Sequence, residues 1–323
     1  MLRRSVLAGT AAVVAAARSA QAQGLPAGTL KIIVGYPAGG STDVIARLVA
    51  DKVKERLGRT VIVENKAGGS GLLGVEVLRG SPADGSAISL VPFTVAVLGP
   101  LVNRQATFDF STDVAAVAQG VSYPLALSVA NNTGVTDWAG FVAWAKANPG
   151  KASFGTAGAG GLPHFFGLLL GKAAGIDLVN VPYKGGAQLA QDLLGGQVPI
   201  GINVLSEVMD HHKTGKLRVL AISSGARNPS APDIPTFKEL GYADAEGDGW
   251  FAFFAPKATP RPAIDAWAAA INEALADAAV RAKIVAMGFI ADGGPPQALS
   301  QRLASDMARW KPIVAASGFK LED

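Results

Sequence analysis

Short runs of β-branched and apolar residues alternate along the chain with longer stretches whose apolar positions recur every three to four residues. This pattern predicts βα units around a mostly parallel sheet, an α/β fold. Leu30-Lys31-Ile32-Ile33-Val34 reads as a first strand, and Thr42 to Leu57 as a helix with Val44, Ile45, Leu48, Val49, Val53 and Leu57 on one face. Ser41 or Thr42 is its expected N-cap and Gly58 its stop. Val61 to Glu64, Gly71 to Arg79 and Ala87 to Val91 continue the series as strand, helix and strand. A second series starts at Ser122-Tyr123-Pro124. Its expected strands are Leu125 to Val129, Ala152 to Gly155, Val179 to Val181, Val198 to Ile202 and Leu217 to Ser223, with helices at Trp138 to Lys146, His164 to Ala174 and Ala187 to Leu194. The apolar strand Trp250 to Ala255 and two helices, Arg261 to Ala276 and Pro296 to Ser317, close the chain. No internal repeat is visible. The segments near Ser122 to Val129 and Gly249 to Ala255 are placed as crossings between two lobes, 23–124 with 249–323, and 125–248.

Composition changes this picture mainly at the N-terminus. Arg3 and Arg4 precede a 13-residue apolar run, Ser5 to Ala17, and Ala20-Gln21-Ala22 is a small-x-small cleavage site. Residues 1–22 therefore read as a signal peptide cleaved after Ala22, too short to span the ~20 residues a bilayer needs. Arg3-Arg4 before Ser5-Val6-Leu7 also fits a twin-arginine signal, so the Sec and twin-arginine routes both stay open. The 29 Lys and Arg lose three members with that leader, leaving 26 against 25 Asp and Glu. So balanced a chain has no electrostatic footprint for nucleic acid or an anionic membrane. Zero cysteines exclude disulfides, thiolate sites and a lipoprotein anchor, so the mature chain is expected free in the periplasm, as a monomer.

The candidate chemistry lies in glycine-rich turns that lead from a strand into a helix. Gly35-Tyr36-Pro37-Ala38-Gly39-Gly40-Ser41-Thr42-Asp43 forms one in the first lobe, and Gly155-Thr156-Ala157-Gly158-Ala159-Gly160-Gly161-Leu162-Pro163-His164 another in the second. Free N–H groups at a helix N-terminus bind anions without a basic side chain, and ligands of open α/β sheets sit beyond the carboxyl ends of the strands. A third turn, Pro182-Tyr183-Lys184-Gly185-Gly186, offers a phenol hydroxyl, with Lys184 solvated. Gly69-Ser70-Gly71-Leu72-Leu73-Gly74 matches G-x-G-x-x-G, but residues 65–68 separate it from the preceding strand, and the next strand ends in Leu90-Val91 rather than an acid. That context argues against a dinucleotide.

Enzyme constellations are thin. His164, His211 and His212 are the only histidines, and neither H-E-x-x-H nor G-x-S-x-G occurs. His211 and His212 read as exposed helix residues, and His164 as a first-turn residue beside the second loop. The acidic stretch Asp244 to Asp248 reads as a solvated loop rather than a calcium site. No cofactor, metal or catalytic residue is expected.

Several segments in order resemble the substrate-binding proteins of tripartite tricarboxylate transporters, the Bug-type receptors. They include Pro37-Ala38-Gly39-Gly40, Val63-Glu64-Asn65-Lys66-Ala67-Gly68-Gly69, Ser81-Pro82-Ala83-Asp84-Gly85, Val181-Pro182-Tyr183-Lys184-Gly185, Asp192-Leu193-Leu194-Gly195-Gly196-Gln197-Val198 and Pro232-Asp233-Ile234-Pro235-Thr236. The resemblance covers essentially the whole mature chain. It implies a type II periplasmic binding fold, two Rossmann-like lobes joined by two crossing strands, no catalysis, and delivery of a small carboxylate to integral-membrane transporter subunits. A periplasmic sensor presenting its ligand to a signalling partner uses the same fold and stays open. The ligand contacts it implies are Tyr36, Ala38, Gly39, Gly40, Ser41 and Thr42 in the first lobe, Thr156, Ala157, Gly158, Gly160, His164 and Tyr183 in the second, with Phe93, Asn203 and Trp250 at the pocket edge. Asn203 stands where the family commonly has an aspartate, Pro92-Phe93-Thr94 where it has small hydroxyl residues, and Gly249 where a serine is frequent. Losing a carboxylate and gaining a ring points to a less cationic ligand with more apolar surface, so aromatic or aliphatic carboxylates are expected to bind more tightly than amino acids.

Overall fold

The computed structural model describes residues 24–103 and 108–320. The expected leader, residues 1–22, lies outside the described residues. The first strand, β1 (Leu30–Val34), buries every side chain except Lys31, whose ammonium reaches Glu64 at 3.3 Å. Helix α1 (Ser41–Leu57) follows, and it stops where Gly58 takes a left-handed φ of 62° and donates its N–H to the Lys54 carbonyl. Its N-cap is Gly40, not Ser41 or Thr42. Asp43, inside the first turn, does part of the capping by accepting the Gly39 N–H at 2.9 Å, a reach-back of the capping-box kind.

Strand β2 (Val61–Asn65), helix α2 (Leu72–Arg79) and strand β3 (Ala87–Pro92) complete the first βαβ run. The glycines between β2 and α2 serve close packing rather than phosphate binding. A methyl on Gly35 would come within 2.4 Å of the Gly71 carbonyl oxygen, and one on Gly74 within 2.6 Å of the Gly35 Cα. The G-x-G-x-x-G match is thus a stretch of backbone pressed onto the first loop, where the Tyr36 hydroxyl donates to the Ser70 carbonyl at 2.8 Å.

Strand β4 (Val114–Tyr123) was not legible in the sequence, because Val-Ala-Ala-Val-Ala-Gln-Gly has little β-branched character. It is held as a strand by pairing with β10 (Gly249–Pro256), from Tyr123 opposite Gly249 to Val114 opposite Pro256. Past Pro124 the chain enters a second sheet through β5 (Leu125–Ala130), then α3 (Trp138–Ala147), β6 (Ser153–Thr156), α4 (Leu162–Ala174), β7 (Val179–Pro182) and α5 (Gly186–Leu194). It continues with β8 (Ile200–Val204), α6 (Leu205–Lys213) and β9 (Leu217–Ile222). Strand β8 lies two residues later than its apolar run suggested, which brings Asn203 inside it. After β10 come α7 (Arg261–Ala276), α8 (Ala278–Ala286), the short β11 (Ile290–Ala291) and α9 (Pro296–Ser317). Neither α8 nor β11 was anticipated.

The sheet orders are β11-β4-β10-β3-β1-β2 and β7-β6-β8-β5-β9. Both are mixed rather than mostly parallel: β1 pairs parallel with β2 and β3, and β6 with β7 and β8, while β10 and β5 run antiparallel to their neighbours. The antiparallel member of each sheet is the first strand after a crossing, inserted between the parallel set and the strand from which the chain leaves that lobe, β4 in one and β9 in the other. Ser223, fully buried, ties both crossings together. Its N–H donates to the Leu125 carbonyl and its Oγ accepts from the Leu125 N–H, both at 2.9 Å, while the same hydroxyl donates to Asp248 at 2.8 Å.

Candidate functional site

Between the two sheets, at the carboxyl ends of β1 and β8, lies a cavity of about 430 Å³ lined by Gly39, Ser41 and Val44 on one side and Val204, Ser206 and Glu207 on the other. Tyr123 and Phe251 from the crossing strands and Met287 and Phe289 complete the wall. Its position obeys the rule for open α/β sheets, and its size suits a small molecule. A larger cavity of about 750 Å³ lies beyond the Gly288–Ser206 contact, between α6, residues 224–230 and β11. It does not reach the first loop, whereas the smaller one is lined by Gly39 and Ser41 of that loop and is the candidate site.

The first loop is built as a pinned anion cradle. Asp43 is buried, and its carboxylate gathers the Gly39 N–H at 2.9 Å, the Asn65 amide at 2.9 Å and the Arg47 guanidinium at 3.0 Å. Burial opposes ionisation of Asp43, but the Arg47 guanidinium and the Gly39 and Asn65 donors outweigh it and hold the carboxyl below its usual range. The Gly39 N–H is therefore spent inside the loop. The N–H groups of the first turn of α1, at Ser41 and Thr42, have no carbonyl one turn earlier in the helix and remain as donors. Ala38, Gly39, Gly40 and Ser41 are exposed, whereas Thr42 is buried.

The second loop does not line this cavity. The buried Gly160 has φ 72° and donates its N–H to His164 Nδ1 at 3.1 Å, and a methyl there would strike the Phe319 ring at 2.5 Å. His164 is itself sandwiched, stacked on Phe165 at 5.1 Å and edge-on to Phe319 at 5.2 Å. Burial lowers its pKa, which keeps the ring neutral and its Nδ1 able to accept. Thr156 is buried, with its hydroxyl 2.9 Å from the Gly158 carbonyl and 2.8 Å from the Asn180 side-chain oxygen; Ala157 is exposed and Gly158 half-buried. The half-buried Tyr183 donates its N–H to the Thr156 carbonyl at 2.8 Å, and its phenol, pushed up by burial, has Asp192 beside it. These residues hold one another in place within the second lobe.

Three edge residues need correction. Phe93 is 1% exposed, with ring centroids 5.5 Å from Trp250 and 6.0 Å from Trp310, and so belongs to the core. Trp250 is fully buried and donates its indole N–H to Asp306 at 2.8 Å. Strand alternation explains the miss: with Trp250 turned inward, its neighbour Phe251 faces the cavity. Asn203 is 1% exposed, its Oδ1 has no hydrogen-bond partner, and its Nδ2 points at Glu207 over a long 3.4 Å. His211 and His212 are half-buried rather than exposed, and His212 Nδ1 accepts the Val219 N–H at 3.2 Å. Asp248 belongs to the hinge, not to a solvated loop.

Of the expected contacts, Gly39 and Ser41 line the cavity, and the sequence reading missed Tyr123, Phe251 and Glu207. Tyr123 could have been found from its place at a crossing; Glu207 carries no local signal, since an acid in the first turn of a helix is ordinary. Glu207 is open to the cleft on one side yet crowded on the other. Burial pushes its carboxyl above the usual range, and the Asn203 amide opposes this only in part. The Tyr123 hydroxyl is likewise raised by burial, with Tyr36, Glu207 and Asp248 nearby. Tyr36 itself is pushed up to about 12 by burial. Among the described residues, no group of three or more His, Cys, Asp or Glu side chains is placed to hold a metal ion.

Comparison with known proteins places this architecture. Residues 45–319 match the family described as Tripartite tricarboxylate transporter family receptor. Protein BugT of Bordetella pertussis (strain Tohama I) is 33% identical over 298 residues, 92% of this chain and 91% of that one. Rpa4515 of R. palustris, solved with adipate, is 27% identical with a TM-score of 0.77, covering 91% of this chain and 99% of its own. The periplasmic binding protein BugD is 28% identical with a TM-score of 0.74, covering 92% and 100%.

Proposed function

This chain belongs to the tripartite tricarboxylate transporter receptor family, a binding protein and not an enzyme, and on that premise we propose that it works in the periplasm. In this reading it captures a small carboxylate between two lobes, 23–124 with 249–323 and 125–248, and delivers it to integral-membrane transporter subunits. The observation that carries the reading is the cavity between the sheets, with the N-terminus of α1 at one wall and no Lys or Arg among its lining residues. Helix-terminal amides there would take the ligand carboxylate, supported by the Ser41 hydroxyl. A related receptor solved with adipate supports the class of ligand. Residues 1–22 act as the export signal, and the mature chain acts as a monomer.

Calorimetry on the purified mature protein with a panel of mono- and dicarboxylates tests this. A member of the panel should bind, Lys184→Ala should leave its affinity nearly unchanged because that side chain is exposed, and Gly39→Val should abolish binding because Gly39 has φ 88°. Loss of binding in Lys184→Ala with retention in Gly39→Val would refute the backbone-donor site.

A further inference from the structure

The candidate cavity has two poles of opposite sign. At one wall stands the N-terminus of α1 with Gly39 and Ser41; at the other stands Glu207, the sole ionisable carboxyl among its lining residues. Among the described residues, no Lys, Arg or His forms an ion pair with Glu207, and its one side-chain hydrogen bond is the 3.4 Å contact from Asn203. The carboxylate rests against the start of α5: a methyl on Gly186 would lie 2.4 Å from Glu207 Oε2. The ionisable group that faces it from another element, the Tyr123 hydroxyl, brings no positive charge. Between the poles the wall is aromatic or aliphatic apart from Ser206.

Resting on the receptor reading above, we propose that Glu207 is a specificity-determining residue and that the preferred ligand is an amino-bearing carboxylate. Its carboxylate points to α1 and its ammonium pairs with Glu207. A dicarboxylate of the same length would bring its second carboxylate against Glu207, where like charges repel unless one group takes up a proton. An ammonium instead meets a carboxylate that lacks a counter-charge, and whose charged form burial disfavours until one arrives. The carboxylate missing at Asn203, near the end of β8, is supplied four residues later in the first turn of α6. This reverses the ligand preference expected from Asn203 and Phe93, since Phe93 is in the core and Asn203 is shielded behind Glu207.

The test is calorimetry on matched pairs: 4-aminobutyrate against succinate, 5-aminovalerate against glutarate, 6-aminohexanoate against adipate, and aspartate against succinate. The amino member should bind about tenfold or more tightly in at least one pair, the discrimination of a single charge-assisted bond. Glu207→Gln and Glu207→Ala, whichever melts like the wild type, should erase that ratio by weakening the amino member and improving the diacid. If diacids bind more tightly in every pair, or the ratio survives both substitutions, the inference is overturned while the receptor reading stands. If no member of any pair and no other carboxylate binds, the receptor reading fails and this inference falls with it.

Discussion

Phe93 illustrates what a single side chain does in this protein. Its ring meets the edges of Trp250 and Trp310 deep in the first lobe, and no ligand wall is within its reach. Phe93→Ala should therefore cost about 3–5 kcal/mol of stability, the usual loss for a buried ring, with ligand affinity preserved in the folded fraction. Urea unfolding beside calorimetry separates the two; loss of affinity at unchanged stability would return Phe93 to the pocket. Asp43 combines both roles, because the carboxylate that stabilises the loop also fixes the backbone that meets the ligand. Its folded pKa lies below the unfolded value, so its stabilisation is present above the ordinary carboxylate range and is lost as pH falls through the folded pKa.

At the scale of elements, the hinge concentrates polar groups where two connections cross. Asp248 accepts the Ser223 hydroxyl, and burial, which outweighs that bond and Arg302, raises its pKa to about 6. A carboxyl raised in the folded state stabilises fully below its unfolded pKa, and that contribution is lost as pH rises through the folded value. Stability should thus decline between about pH 4 and 6 by on the order of 2 kcal/mol, discounted for the partial exposure of the group. Asp248→Asn keeps an acceptor for Ser223 without the charge and should flatten that decline in melting temperature against pH. An unchanged profile in the variant would mean that the slope comes from other acids. His164 acts in the opposite sense: its folded pKa is lowered, so stability falls as pH drops below its ordinary value toward the folded one.

For the whole molecule, the two sheets repeat one strand order, β2-β1-β3-β10-β4 and β7-β6-β8-β5-β9, although the sequence shows no repeat. Each lobe holds only part of the cavity wall, and the two crossings meet at Ser223, whose carbonyl also accepts the Gly247 N–H at 3.0 Å, so rotation of one lobe on the other centres there. Helix α9 reaches across as well, with Arg309 donating to the Asp244 carbonyl at 2.6 Å and Phe319, just past its end, against His164. These contacts lie away from the cavity mouth and can act as the pivot side. Small-angle scattering should show a smaller radius of gyration at saturating ligand. Identical profiles with and without ligand would argue against closure.

The chain by itself determined the α/β class, most strands and helices, and the family, because these depend on local periodicity, glycine turns and ordered short segments. The first loop was legible for the same reason: a helix N-terminus after a glycine turn is a local feature, and Gly39 and Ser41 do face the cavity. Tertiary structure decided what local pattern cannot carry. It made a strand of Val114–Tyr123 by pairing it with β10, and it chose which of Trp250 and Phe251 turns inward. It also turned the second loop's Gly160 toward Phe319, some 159 residues away, rather than toward a ligand. Glu207 is the clearest case: nothing in Leu205-Ser206-Glu207 marks it, and only the approach of Gly39 and Ser41 from the other lobe makes its carboxylate one pole of a site. Contacts of this kind join residues far apart in the chain, and no window of sequence contains both partners.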